Sequence, residues 1–145
     1  MQLVIDANLV FSMIFSKAKG VETKKLEILF SNKFELFAPE ILIEELERNK
    51  EKIKLNSGFS DIDFDNFIKI LKSRITLLSS KYFSDKKSEA EKICKDLKDL
   101  AYFALALKLN CPIWSGEKSF KQQSKIKVFN TKELVEESNS LDNKL

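Results

Sequence analysis

The apolar and polar stretches of this chain predict strands and helices that follow one another in turn. The run LVI, with Val4 and Ile5, is wholly apolar and stops at Asp6, as a buried strand does. Residues Asn8 to Ser16 and Val21 to Ser31 are expected to be helical, with Gly20 as the break between them. FELFA, residues 34–38, is a second strand. Pro39 suits the first position of a helix, where its missing N–H is no loss, and Glu40 then falls at the positive end of the helix dipole. That helix is expected to reach about Lys54. A loop from Asn56 to Ser60 contains Gly58, and Ser60 with Asp63 makes a capping box for a helix to about Ile75. Thr76 to Leu78 is a third strand, and Ser84 caps a helix to about Ile93. The polar link KDLKD leads into a strongly apolar helix from Asp99 to Leu109. Pro112 to Ser115 is a strand, Gly116-Glu117-Lys118 a turn, and Lys127 to Phe129 the last strand; Thr131 starts the final helix. Residues 1–138 read as one domain and residues 139–145 as a frayed tail.

Strands alternating with helices predict an α/β fold: a three-layer sandwich with a mainly parallel central sheet. In such sheets ligands sit beyond the carboxyl ends of the strands, so polar residues there carry the functional interest. A length of 145 residues, 43% of them apolar and twelve of them Phe, supports one compact core. The net charge of +3 neither demands nor opposes a nucleic-acid partner. Cys94 and Cys111 lack metal-type spacing, and no apolar run reaches the ~18 residues of a membrane span. A cytoplasmic protein with free thiols and no membrane association is expected. The chain contains no histidine, which removes Ser-His-Asp and Cys-His nucleophilic catalysis and His-ligated zinc. Hydrolytic chemistry would then fall to carboxylates with a hard cation, Mg2+ or Mn2+.

Several carboxylates are placed for that role, and each has a structural alternative. Asp6 ends the first strand, where it either caps the next helix or faces a ligand; the same holds for Asn8. In the helix after Pro39, Leu42, Leu46 and Ile53 define the core stripe. At about 100° per residue, Glu44 points away from that stripe, while Glu45 lies at its edge, able to face a pocket between helix and sheet. Asp99 enters a helix that is apolar on nearly every side, where an unpaired charge is costly; Asp99 and Asp96 also suit a helix N-terminus. Glu117 follows the strand PIWS as a turn residue, beyond another strand end. Carboxylates gathered at one site repel one another unless a divalent cation neutralises them.

With LVIDANLVFS at the start, LFAPEILIEELERNKEKI in the middle and DLKDLAYFALALKLNCPIWSGEKSF near the end, the chain resembles the PIN-domain family over about residues 2 to 135. The last segment is the most specific: an acidic DxxD link, a small-residue helix, then a Pro-Ile-Trp strand leading to an acid. The resemblance implies an α/β/α sandwich with an acidic Mg2+ or Mn2+ site that cuts single-stranded RNA by metal-activated water. The family's metal-binding and catalytic carboxylates match Asp6, Glu45, Asp99 and Glu117, and its supporting polar positions match Asn8 and Asp96. Many prokaryotic members are toxins of the VapC type, paired with an antitoxin, and many form homodimers. Where the family usually has Asp, this chain has Glu117; where the DxxD link commonly has Pro, it has Leu97.

Two other readings stand beside this one. A PIN fold with an altered site is also suited to bind RNA or a protein without cutting. Phosphoryl-transfer domains fit poorly, because a haloacid-dehalogenase phosphatase needs a second acid where this chain has Asn8, and the central strand FELFA runs into Pro39 rather than a phosphoacceptor Asp. Lys118, Lys121 and Lys125, with Lys127, lie beside the expected site, either as ordinary solvated charges or as a rim for RNA phosphates. Trp114 and Phe120 suit the core better than base stacking.

Overall fold

The computed structural model describes residues 1–15 and 20–143, with backbone alone for residue 15 and residues 20–23. Strands β1 (Gln2–Ile5), β2 (Glu35–Pro39), β3 (Ile75–Leu78), β4 (Ile113–Trp114) and β5 (Val128–Phe129) form one sheet in the order β3-β2-β1-β4-β5. Every pairing is parallel, with Leu3 opposite Leu36, Ile5 opposite Trp114 and Trp114 opposite Phe129. The expected three-layer α/β/α arrangement is the one observed. β1 lies at the centre because Leu3, Val4 and Ile5 are wholly buried, as a strand covered on both faces requires.

The helices are α1 (Ala7–Phe15), α2 (Gly20–Phe30), α3 (Ile41–Arg48), α4 (Lys50–Ser57), α5 (Asp61–Arg74), α6 (Ser80–Phe83), α7 (Lys87–Glu91), α8 (Leu100–Leu109) and α9 (Thr131–Asn143). α8 lies across β1, β2 and β4, and its residues 102–106 are all buried, which is why its sequence is apolar on nearly every side. Away from α8, α1 packs with α2 and α4, and α2 with α9. Trp114 is wholly buried and donates from Nε1 to Thr131 Oγ1 at 3.1 Å; Phe120 packs in the core on Phe103, their ring centroids 4.9 Å apart.

Several boundaries differ from the sequence expectation, for local reasons. Pro39 does not open a helix: it ends β2, opposite Leu78, and α3 begins at Ile41. Its lack of an N–H is tolerated at the end of the ladder, where Glu40 N–H takes up the bond to Leu78 C=O at 2.9 Å. The single helix expected to Lys54 is two, because Asn49 turns its side chain back onto the Glu45 carbonyl at 2.7 Å and breaks the helical path. α4 stops at Ser57, with Gly58 at φ 75° accepting the left-handed turn. Ser84 does not cap one helix to Ile93; it follows α6 as the first residue of a short 3-10 turn, and α7 ends at Glu91. α9 continues to Asn143, into the expected tail, with Lys33 paired to Asp142 at 2.5 Å. The expected helix end at Ser16 lies outside the described residues.

The capping box is present as expected: Asp63 N–H donates to Ser60 Oγ at 3.1 Å and Ser60 N–H to Asp63 Oδ2 at 2.9 Å. Ser60→Ala is predicted to destabilise the fold by about 1 kcal/mol in urea unfolding. An unchanged urea midpoint would mean that the box adds nothing to α5.

Candidate functional site

Chain order in the sheet reverses beside β1: β2 and β3 extend to one side of it, β4 and β5 to the other. At such a switch point the segments leaving neighbouring strands diverge and open a crevice beyond the carboxyl ends. Asp6 follows β1 there, its N–H donating to Trp114 C=O at 3.0 Å, and Ser115 follows β4 on the adjoining strand. Asp6 is only 1% exposed. Its carboxylate accepts from Ser115 Oγ at 2.9 Å, and the Asn8 N–H in the first turn of α1 favours its charged form, as at a helix cap.

Ser115 also links Asp6 to Glu117. The same Oγ accepts from Glu117 N–H at 3.0 Å, fixing the start of the turn after β4. One Glu117 oxygen accepts from Asn8 Nδ2 in a short contact, and the other lies 3.4 Å from the Ser119 hydroxyl. Glu117 is half-buried and Asn8 is exposed at the mouth.

Asp99 stands at the amino end of α8, half-buried, after a short 3-10 turn capped by Asp96, which accepts from Lys98 N–H at 3.1 Å. It lies within electrostatic reach of Asp6, Glu117, Glu45 and Asp96. Glu45 on α3 is half-buried and Glu44 exposed, as the helical phase predicts. The structure therefore brings Asp6, Asp99 and Glu117 within electrostatic reach of one another, with Glu45 within reach of Asp99. Asp96, Asp99, Glu117 and Ser119 line an open cavity of about 360 Å³, walled on its apolar side by Ile93, Phe103 and Phe120.

Burial dominates the electrostatics, and like charges add to it. Burial, followed by Asp99 and Glu117, pushes the Asp6 carboxyl up to about 7, against the pull of the Ser115 hydrogen bond. Burial, then Asp96 and Glu117, raises Asp99 to about 6, offset only in part by Lys98. Burial also raises Glu45, with Asp99 adding to it and Arg48 opposing it. Among the described residues none of Asp6, Glu45, Asp99 or Glu117 forms an ion pair within 4.0 Å.

Among the described residues no three acidic or thiol side chains stand close enough together to hold a metal ion, so the cluster is not a closed cage. Its donor chemistry nonetheless fits a hard divalent cation: carboxylate oxygens beside an open cavity, raising one another's proton affinity and lacking ion-pair partners. A second feature agrees. The Tyr102 hydroxyl, 1% exposed for its residue, has no hydrogen-bond partner among the described residues and lies within reach of Glu45, Asp6 and Asp99.

The sequence did not single out Ser115 or Tyr102. Tyr102 follows Asp99 by three positions on one helix, which places both on one face and was a usable signal. The lysines sit outside the acid cluster. Lys121 pairs with Glu133, Lys125 with Glu89 at 3.1 Å, and Lys127 covers the Phe129 ring at 4.9 Å; Lys118 has no partner among the described residues. No described helix is long and apolar enough to cross a membrane.

Comparison with known proteins follows this geometry. A family model described as the PIN domain matches residues 4–138, and the chain belongs to that family. Among solved structures the chain is similar to the crystal structure of VapBC2 from Rickettsia felis bound to a DNA fragment from their promoter. The TM-score is 0.61 at 18% identity, covering 90% of this chain and 98% of that one, a likeness of fold. No match was found among curated protein sequences.

The raised Asp6 carboxyl predicts a pH dependence. Its folded value of about 7 exceeds the unfolded value of 3.8, so the fold binds the proton more tightly and loses stability as pH rises between them. In metal-free buffer, Asp6→Asn is therefore predicted to raise the thermal midpoint by several degrees near pH ~8 and by much less near pH ~4. An equal shift at both pH values would show that Asp6 is not held against its own charge.

Proposed function

We propose that this PIN-domain chain is a metal-dependent endoribonuclease that hydrolyses single-stranded RNA. The observation that carries the reading is the gathering of Asp6, Asp99 and Glu117 at the switch point of the sheet with no ion pair to any of them among the described residues. In this reading Asp6, Asp99 and Glu117 hold Mg2+ or Mn2+, and Glu45 completes the acidic rim. Such an ion lowers the pKa of bound water and stabilises charge developing on a phosphodiester.

The chain's own residues orient these groups. Ser115 holds Asp6 in place and fixes the turn that carries Glu117. Asn8 and Ser119 hold the Glu117 carboxylate, and Asp96 shapes the turn that delivers Asp99. Lys118, without an ion pair among the described residues, is the best placed of these lysines to meet an RNA phosphate. Lys121 and Lys125 join it at modest cost, since exposed ion pairs hold only about 0–1 kcal/mol.

The proposal has a further element, in keeping with the fold likeness to a VapBC2 assembly: the chain is the toxin of a toxin–antitoxin pair and binds an antitoxin protein. A cytoplasmic homodimer is part of the same proposal. A second reading, a PIN fold that binds RNA or protein without cutting, is favoured by two observations among the described residues. The acids do not close into a cage, and Glu117 is engaged by Asn8 and Ser119.

Cleavage separates the two. Purified protein is predicted to cut single-stranded RNA with Mg2+ or Mn2+, to stop on chelation, and to lose activity in Asp99→Asn. RNA left intact with either metal would select the binding reading, and cleavage surviving Asp99→Asn would remove Asp99 from the site.

Glu117 gives a finer test. Removing its charge in Glu117→Gln is predicted to reduce metal-dependent cleavage sharply. Glu117→Asp retracts the carboxylate by about 1 Å, a misplacement that can cost roughly 10²-fold in rate. Wild-type rates in Glu117→Gln would leave the ion to Asp6, Asp99 and Glu45, and faster cleavage by Glu117→Asp would make the natural Glu a handicap.

A further inference from the structure

Tyr102 is the least explained side chain in the molecule. It sits in the first turn of α8, within electrostatic reach of the acid cluster, and is 1% exposed. A buried hydroxyl normally finds an acceptor, because leaving one unpaired forfeits the hydrogen bonds it had in water. Here the donor is surrounded by acceptors: Glu45, foremost, then Asp6 and Asp99 lie within electrostatic reach of its oxygen. Its hydroxyl is nevertheless the one buried side-chain oxygen or nitrogen without a partner among the described residues.

We propose that Tyr102 is a positioning residue of this site, whose buried hydroxyl donates to the Glu45 carboxylate once a divalent cation draws that carboxylate into the cluster. The inference rests on the metal reading given above and adds a role for a residue outside the carboxylate set. Glu45 is suited to move, since it lies on the exposed-to-buried edge of α3 and makes no side-chain hydrogen bond among the described residues. Its backbone is the fixed part, with the Glu45 carbonyl accepting from both the N–H and the Nδ2 of Asn49. The phenol supplies a donor without a charge, so it orients Glu45 without competing with the cation for it. Ser115 has the corresponding task at Asp6.

This role predicts effects of opposite sign in the two states. Without metal the Tyr102 hydroxyl is unpaired, so Tyr102→Phe should leave the thermal midpoint unchanged or raise it. With metal it has a partner, so the same substitution should weaken binding of Mg2+ or Mn2+ alone, measured by calorimetry, by about 10-fold. It should also shrink the rise in midpoint that the metal produces. In a Glu45→Gln background Tyr102→Phe should add nothing further to the loss of metal affinity. A residue that merely fills the core would change the midpoint equally with and without metal and leave the affinity intact, and that result overturns the proposal. So does a Tyr102→Phe effect that adds in full to that of Glu45→Gln. Wild-type protein that binds neither ion overturns the metal reading itself, and this proposal with it. Wild-type binding with unchanged affinity in Tyr102→Phe overturns this proposal alone.

Discussion

Burying a carboxylate is unfavourable unless something compensates it, and Asp6 is buried at the centre of the sheet edge with only neutral donors for company. That constraint organises the region around it. β1 places Asp6 at its last ladder bond, Ser115 just after the neighbouring strand donates to its carboxylate, and the first turn of α1 offers an N–H. These contacts hold the side chain but leave its charge unneutralised. Asp99 and Glu117 then add two more acidic groups, which raise its proton affinity further.

The parallel sheet makes this arrangement economical. With all strands aligned, every carboxyl end lies on one edge, so residues far apart in sequence reach the same crevice. Asp6 and Ser115 meet across the β1–β4 pair, and α8, packed over the same strands, delivers Asp99 at its amino end. Both strands are short, so the site is set by a few ladder bonds and by the wholly buried Trp114, which anchors β4 through Thr131.

Much of this was legible in the sequence, because periodicity reports burial directly. The apolar run ending at Asp6 and the apolar segment after Asp99 appear as the central strand and the most buried helix. Helical phase alone separated half-buried Glu45 from exposed Glu44. What escaped depends on partners distant in the chain or on local competition. Pro39 carries the same fixed φ at a strand end as at a helix start, and only the pairing with β3 decides between them. Asn49 breaks a helix through one side-chain hydrogen bond that no periodicity records. Ser115 matters through Asp6, which lies on another strand, and a hydroxyl before a turn looks ordinary in sequence. Tyr102 was hidden by the apolar company it keeps on α8. The lysine run beside Glu117 was visible, but the partners of Lys121 and Lys125 come from α9 and α7.

The account stands on one claim: the carboxylates at the switch point are a cation site. Crystals soaked with Mn2+ and measured for anomalous scattering test it directly. The account predicts an ion bound by Asp6 and Asp99, with Glu117 at or beside it, and a signal that disappears in Asp6→Asn crystals. An ion bound elsewhere, or a cluster that stays empty at saturating Mn2+, would contradict it.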